Sequence, residues 1–189
     1  LRGHGKSEGK FEEFTMSDWR KDILDIIDNV AKGPQILIGS SMGGWLMMLA
    51  AKARPQRIKG MIGLAAAPDF GQDLYNALNK KNKKEITTKG ITKYKSYGFS
   101  YYLTKKFFIE AEKNKVLNKA FRFIKPLVLI HGLKDDVVKE DVPRKILKKV
   151  TGKNVNIIYL KESDHRLSSD TDLKMITQSI DYIRYLKKL

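Results

Sequence analysis

The chain has 189 residues, of which 42% are hydrophobic and 31% are charged, with a formal net charge of +16 and no cysteine. This length and balance are typical of one globular domain with its own core, and the missing cysteines exclude disulfides, metal thiolates and thiol catalysis. No apolar run reaches the roughly 18–20 residues of a membrane span and the first residues are polar, so we expect a cytoplasmic protein without a transmembrane segment or signal peptide.

The predicted elements alternate between helix and strand along most of the chain. In chain order they are a helix over 15–32, a strand over 35–38, a helix over 42–53, strands over 58–66 and 127–130, a helix over 140–150, a strand over 155–160 and a helix from Ser168 or Ser169 to the C-terminus. The helices are predicted from apolar residues at helical spacing, and the strands from short apolar runs. Because strands that alternate with helices form a parallel sheet covered on both faces, the predicted fold class is α/β, with a doubly wound, mostly parallel sheet.

The segment 70–124 interrupts this alternation. It shows scattered helical signals and carries most of the positive charge, because residues 79–125 contain 14 basic and 3 acidic side chains. The charge favours either a lysine-rich, solvated insertion or a basic surface that attracts anionic substrates, lipid or nucleic acid. Aromatic residues interleave with the lysines, as in proteins that bind single strands, but this spacing is more typical of a small packed helical subdomain. We therefore expect a small basic insertion and no nucleic-acid partner.

The join between the first strand and the helix after it has the sequence GSSMGG, residues 39–44. It matches the pattern G-x-S-x-G between a strand and a helix, which is the context of a nucleophile elbow. In such an elbow a strained turn exposes the central serine. Ser41 is central in this pattern, whereas Ser40 lacks glycines at the flanking positions. Ser41 is therefore the predicted nucleophile, and the alternative is that it serves only as a helix cap.

The neighbours of Ser41 fit the same interpretation. Gly39 and Gly43 would let the strand and the helix approach each other where a Cβ would clash. The helix that begins at Met42 would direct its N-terminus at the site, so that the N–H of Met42 helps to stabilise an oxyanion.

A nucleophilic serine needs a base and an orienting carboxylate. In folds that contain a nucleophile elbow, these residues follow along the chain in the order serine, acid, histidine. His4 and His131 precede any suitable acid, whereas His165 follows one and lies in the loop after the fourth predicted strand. The acid candidates are Asp135 and Asp136, just past the third strand, and Asp135 is preferred. About 30 residues separate it from His165, which is one strand–helix unit, so the two loops would be adjacent. Asp135 would fix the tautomer of His165 and stabilise its imidazolium form.

Four short motifs resemble those of the α/β-hydrolase superfamily, and they occur in the same order. RGHGKSEG resembles its turn after the fourth strand, GSSMGG its elbow, HGLKD its acid strand and DHRL its histidine loop. GSSMGGW, AAAPDF and DHRLS are similar to a branch of serine esterases described as palmitoyl-protein thioesterases and acyl-glucuronide esterases. The resemblance implies an α/β-hydrolase fold that cleaves an acyl ester or thioester through an acyl-enzyme, without cofactor or metal. It also implies that His4 is a structural turn residue.

The resemblance implies that the chain is organised as two core segments separated by a cap. Residues 1–69 would form the first part of the hydrolase core, residues 70–124 a cap that sets substrate choice, and residues 125–189 the remaining core with the acid and histidine loops. The alternatives are a hydrolase-fold binding module with weak or no catalysis, a basic binder of nucleic acid or membrane, and a peptidase or C–C hydrolase with the same triad.

The chain departs from the family in what precedes its R-G-H-G turn. About four strands come before or end at this turn in the family, and almost nothing precedes it here. The loop that donates the second oxyanion N–H is missing too, and the strand 35–38 would become an exposed apolar edge. We therefore expect either that the chain is part of a longer protein, or that a partner chain or swapped dimer covers this edge.

Overall fold

The computed structural model describes residues 1–96 and 99–186, and the chain divides into two compact units of two segments each. The sheet unit comprises Asn29–Pro68 and Val116–Leu189, and the hairpin unit comprises Leu1–Asp28 and Asp69–Lys115. The predicted division of the chain at 69/70 and 124/125 into core, cap and core stays a prediction.

The helices and strands alternate over most of the described chain. The helices are α1 Met16–Asn29, α2 Met42–Ala53, α3 Gly71–Ala77, α4 Lys80–Lys89, α5 Lys105–Lys113, α6 Val142–Lys149 and α7 Asp170–Tyr185. The strands are β1 Gln35–Ser40, β2 Ile58–Leu64, β3 Ile91–Ser96, β4 Phe99–Thr104, β5 Leu127–Gly132 and β6 Val155–Leu160. None of the helices in the described ranges combines the length and the hydropathy that a membrane span requires.

The sheet unit contains four parallel strands in the order β1-β2-β5-β6. Successive residues of β2 face opposite sides of this sheet. Ile62 packs in a core with Ile183 of α7, whereas a Cβ on Gly63 would contact Met47 of α2. Helices therefore cover both faces, which confirms the predicted α/β class with a doubly wound parallel sheet.

The predicted elements of the sheet unit agree with the structure to within two residues. α2 and β6 have the predicted bounds, and β1 and β5 each extend two residues further than predicted. Ser169 is the N-cap of α7, and its side chain accepts a hydrogen bond from the N–H of Asp172. α7 ends at Tyr185, and the predicted continuation over 187–189 lies outside the described residues.

The hairpin unit contains a structure that the sequence interpretation missed. β3 and β4 pair as an antiparallel hairpin, so the expectation that residues 70–124 form a small helical subdomain is wrong for this part. This segment forms a strand because its residues alternate between the two faces. Thr92 is buried, whereas Ile91 and Lys93 on either side of it are exposed, and such alternation with a period of two is typical of a strand. Lys93 and Lys95 of β3, and most lysines of α4, are exposed. This exposure fits both a solvated insertion and a basic binding surface.

β1 is the last strand on its side of the four-stranded sheet, within the described part of the chain. Its Ile38 is 46% exposed, in agreement with the expected apolar edge. The last strand of a sheet presents unpaired N–H and C=O groups that can pair with another strand. A partner chain or swapped dimer that covers this edge stays a prediction.

Candidate active site

The turn between β1 and α2 is strained at Ser41. Its φ of 52° and ψ of −120° lie in a region that non-glycine residues rarely adopt. The N–H of Ser41 donates to the carbonyl of Leu64 at 2.9 Å, and the carbonyl of Ser41 accepts the N–H of Ala67 at 3.0 Å. These bonds to β2 and the turn after it hold the strained backbone in place. The Ser41 side chain makes no cap hydrogen bond to α2, so its hydroxyl remains available for other partners.

Two glycines of the elbow allow its close backbone contacts. A Cβ on Gly39 would lie 2.6 Å from the carbonyl carbon of Gly43, and a Cβ on Gly44 would lie 2.9 Å from the Cα of Ala66. A Cβ on Gly43 would meet open space. The expectation that Gly43 is needed because a Cβ would clash is therefore wrong. Gly43 contributes its backbone to the contact with Gly39, and Gly44 lets α2 approach the turn after β2.

Gly44→Ala is expected to lower the free energy of unfolding by about 1–3 kcal/mol, because α2 must shift away from Ala66. Gly43→Ala is the matched control, since it places the same methyl group on the same helix but in open space. Alanine is favoured over glycine inside a helix by roughly 0.5–1 kcal/mol, so Gly43→Ala should be neutral or stabilising. Denaturant unfolding of both variants measures the difference, and equal stabilities would contradict the assigned contact.

Side chains from three loops of the sheet unit meet beside the elbow. His165 Nε2 lies 3.1 Å from Ser41 Oγ, and His165 Nδ1 lies 2.9 Å from Asp135 Oδ2. The side chain of Asp135 is fully buried, and its Oδ1 accepts the N–H groups of Val137 and Val138 at 2.8 and 2.9 Å. If Nδ1 carries the proton and donates to Asp135, then Nε2 holds the lone pair that can accept the Ser41 hydroxyl proton.

The other residues weighed from the sequence have different surroundings. Asp136 is exposed, and it is the carboxylate of Asp135 that contacts His165. In the hairpin unit, His4 packs edge-on against Phe11 and Trp19, with ring centroids 5.4 and 5.0 Å away. These contacts fit the expected structural turn residue.

His131 on β5 is a buried histidine beside the acid. Its Nε2 lies 4.0 Å from Asp135 Oδ2, and neither ring nitrogen has a hydrogen-bond partner in the part of the chain that the structure describes. Burial lowers the pKa of His131 and outweighs the opposite effect of Asp135. A neutral His131 leaves the charge of Asp135 to orient His165.

Met42 is the first residue of α2, directly after Ser41. Its N–H is one of the first amides of a 12-residue helix, which have no acceptor one turn earlier in the helix, and such a terminus favours negative charge. A tetrahedral oxyanion at Ser41 would develop beside these donors. The role of Met42 as an oxyanion donor, and the absence of the family's second donor, stay predictions.

Gly132 was not singled out from the sequence. At this residue the loop after β5, which carries Asp135 (the acid loop), packs backbone to backbone against the loop after β6, which carries His165 (the histidine loop). A Cβ on Gly132 would lie 2.6 Å from the carbonyl carbon of Ser163 and 2.7 Å from the carbonyl oxygen of Asp164. The N–H of Lys134 donates to the same Ser163 carbonyl at 3.0 Å. The signal was present in the sequence as the glycine of HGLKD, three residues before Asp135.

The fold is a parallel α/β sheet with a strained serine between a strand and a helix. An acid and a histidine follow it along the chain, and the histidine contacts both the serine and the acid. These features define the α/β-hydrolase class. The family described as serine aminopeptidase, S33, matches residues 1–97. The palmitoyl-protein thioesterase ABHD10, mitochondrial, of Homo sapiens is 40% identical over 183 residues, which cover 95% of this chain and 60% of that protein. The chain thus belongs to the matched family and, by fold, to the α/β-hydrolase superfamily, as predicted.

Two solved structures show the same fold. The alpha/beta hydrolase domain-containing protein 10 from mouse is 37% identical with a TM-score of 0.86, over 96% of this chain and 74% of that one. A putative hydrolase from Agrobacterium vitis S4 is 26% identical with a TM-score of 0.90, over 96% and 73% of the two chains. The chain spans about 60% of the length of the curated thioesterase relatives.

Proposed function

We propose that this protein is a serine hydrolase that cleaves a carboxylic ester or thioester through an acyl-enzyme intermediate. The observation that carries the proposal is the chain of two contacts from Ser41 Oγ to His165 Nε2, 3.1 Å, and from His165 Nδ1 to Asp135 Oδ2, 2.9 Å. A serine, a base within hydrogen-bond reach and a third group that orients the base are the parts of an activated nucleophile.

In the proposed first step, Ser41 Oγ attacks the acyl carbon while His165 Nε2 takes the hydroxyl proton. The carbonyl π electrons move to oxygen, and the N–H of Met42 stabilises the resulting oxyanion. When the tetrahedral intermediate collapses, the bond to the leaving alcohol or thiol breaks and His165 gives it the proton. Water then attacks the acyl carbon of the acyl-enzyme while His165 takes a proton from it. When this second tetrahedral intermediate collapses, the bond to Ser41 Oγ breaks, the carboxylic acid leaves and His165 returns the proton to Ser41.

Asp135 supports both steps without taking a proton itself. Its buried carboxylate accepts a hydrogen bond from the Nδ1–H of His165, which directs the lone pair of Nε2 toward Ser41, and its charge stabilises the imidazolium. The N–H groups of Val137 and Val138 hold Asp135 Oδ1, so the Oδ2 lone pairs remain directed at the ring. Because His131 is neutral, its ring does not act as a second cation beside Asp135 Oδ2 that would compete with His165 for this oxygen.

The relatives favour acyl transfer from oxygen or sulfur. The human relative is named a palmitoyl-protein thioesterase, and a 67-residue stretch is 42% identical to the monoglyceride lipase of Rattus norvegicus. Peptidase activity is the second candidate, because the matching family is described as a serine aminopeptidase and the same triad also cleaves amides. The binding-module alternative is less favoured, because the contacts of Ser41, His165 and Asp135 provide a nucleophile, a base and an orienting group in the order that catalysis needs.

Three matched substrates distinguish these activities: a p-nitrophenyl ester, a thioester and an anilide of the same acyl group, each over a series of chain lengths. We expect turnover of the ester and the thioester, little or none of the anilide, and covalent labelling by a fluorophosphonate. Selective anilide cleavage would favour the peptidase. A protein that turns over none of these substrates and resists labelling would be a binding module.

The compartment and the role of the middle segment are also proposals. The human relative is named mitochondrial, whereas the sequence led us to expect the cytoplasm, and the location of this chain stays a prediction. We propose that the basic segment 70–124 sets substrate choice, because its lysines attract acyl groups or surfaces with negative charge.

A further inference from the structure

Asp172 is a buried carboxylate that the mechanism above does not use. It is the third residue of α7 and is only 2% exposed. It forms a capping box with Ser169, in which Asp172 Oδ2 accepts the Ser169 N–H at 2.9 Å and Ser169 Oγ accepts the Asp172 N–H at 3.2 Å. A capping box requires one carboxylate oxygen, so it accounts for Oδ2 and leaves Oδ1 to be explained.

The other oxygen, Oδ1, accepts the hydroxyl hydrogen of Ser163. Ser163 lies outside α7 and two residues before His165, in the loop that leads from β6 to α7. Burial raises the pKa of Asp172, but the hydrogen bonds from Ser163 and Ser169 outweigh it and hold that pKa below its usual value. The ionised carboxylate therefore binds both ends of the loop that carries His165.

Ser163 is also fixed through its main chain. Its carbonyl accepts the N–H of Lys134, next to Asp135, and packs against Gly132 where a Cβ would collide. The side chain of Ser163 thus binds α7 while its backbone binds the acid loop. Movement of Ser163 would change the position of the histidine loop relative to Asp135.

A second fixed point follows His165. Leu167 is 2% exposed and belongs to the core that contains Ile62 and Ile183. His165 therefore lies between a residue anchored by apolar packing, Leu167, and a residue anchored by a hydrogen bond, Ser163. The hydrogen bond from Ser163 to Asp172 depends on a single hydroxyl group, so one substitution can remove it.

We infer that Asp172 is a positioning residue, whose carboxylate acts through Ser163 to hold His165 between Ser41 and Asp135. Its significance for catalysis rests on the proposed hydrolase function. A displacement of about 1 Å in a reacting group can reduce a rate by about 10²-fold, and the loss of one hydrogen bond in a loop still anchored at Leu167 should have a smaller effect.

Two serine-to-alanine variants separate positioning from helix capping. Ser163→Ala removes the bond to Asp172 Oδ1 and leaves the capping box intact, and we expect it to lower kcat about tenfold, or about 1.4 kcal/mol, with little change in KM. Ser169→Ala removes the cap hydroxyl and leaves the Ser163 bond, so it should lower the melting temperature and keep kcat within about twofold. Ser163→Thr retains a hydroxyl and should restore kcat.

A spectroscopic readout tests the inference without turnover. In the proton NMR spectrum, the Nδ1 proton of His165 bound to Asp135 should give a downfield resonance in the wild type, Ser169→Ala and Ser163→Thr, and a shifted or broadened one in Ser163→Ala. If Ser163→Ala does not fold, Ser163→Cys keeps the volume and offers a weaker donor, so the same comparison applies to it.

The outcomes distinguish the inference from the proposed function. Wild-type kcat and a wild-type resonance in Ser163→Ala would overturn the positioning role, as would equal losses of kcat in Ser163→Ala and Ser169→Ala. A resonance that changes only in the Ser163 variant, in a wild-type protein that hydrolyses neither ester nor thioester, would support the positioning role and contradict the hydrolase.

Discussion

Ser41→Ala is expected to lower kcat for the ester and the thioester by about 10⁴- to 10⁶-fold and to eliminate labelling by a fluorophosphonate. The attacking oxygen is removed, while the bonds of the Ser41 backbone to Leu64 and Ala67 remain. The variant should therefore fold as the wild type does. Steady-state kinetics with both substrates and gel detection of a labelled protein measure the two effects.

Ser40→Ala is the matched control for this substitution. It removes the same hydroxyl group from the neighbouring, exposed residue at the end of β1. Ser40→Ala should keep its labelling and most of its activity. If labelling persists in Ser41→Ala and disappears in Ser40→Ala, the assignment of the nucleophile is wrong.

Asp135→Asn should lower kcat by about 10⁴-fold, as the loss of the carboxylate does in other serine triads. An amide nitrogen facing His165 Nδ1 would donate where the carboxylate accepts, so the proton would move to Nε2 and the base would lose its lone pair toward Ser41. Substrate binding does not depend on this tautomer, so KM should change much less than kcat. Initial rates over a substrate series give both constants.

Asp136→Asn is the control for the acid, because the same change is made one residue away on an exposed side chain. It leaves the bonds of Asp135 to Val137 and Val138 in place, and kcat should stay within about threefold of the wild type. A large loss in Asp136→Asn together with an active Asp135→Asn would transfer the role of acid to Asp136.

The fold and much of the candidate site could be predicted because their signals are local. The elbow pattern at Ser41 joins a short apolar strand to a helix, and chain order selected His165 from three histidines. Asp135 and Asp136 are adjacent and chemically identical, so sequence reasoning could only prefer one of them, and the choice depends on geometry. The structure distinguishes them by burial and by the hydrogen bonds that orient one carboxylate toward the ring.

The features that the sequence interpretation missed depend on contacts distant along the chain. Gly44 is needed because of Ala66, and Gly132 because of Ser163, and neither neighbour can be identified from local spacing. The hairpin of β3 and β4 has too short an alternation to predict a strand pair against the strong lysine background. Ser169 was predicted as a cap, but the second bond of Asp172, to Ser163, follows only from the path of the loop.

The division of both units into two segments determines when the site can form during synthesis. The contact of Ser41 with His165 spans 124 residues and that of Asp135 with His165 spans 30. Closing the longer loop costs only about 1.2 kcal/mol more, because the entropy grows with the logarithm of length. The separation along the chain also delays the contact during synthesis. At roughly 5–20 residues per second, about 6–25 s pass between the synthesis of Ser41 and that of His165. Until β5 has been synthesised, in the first part of this interval, β1 and β2 lack the strand that pairs with β2, and apolar surface that is exposed in this way is prone to aggregation.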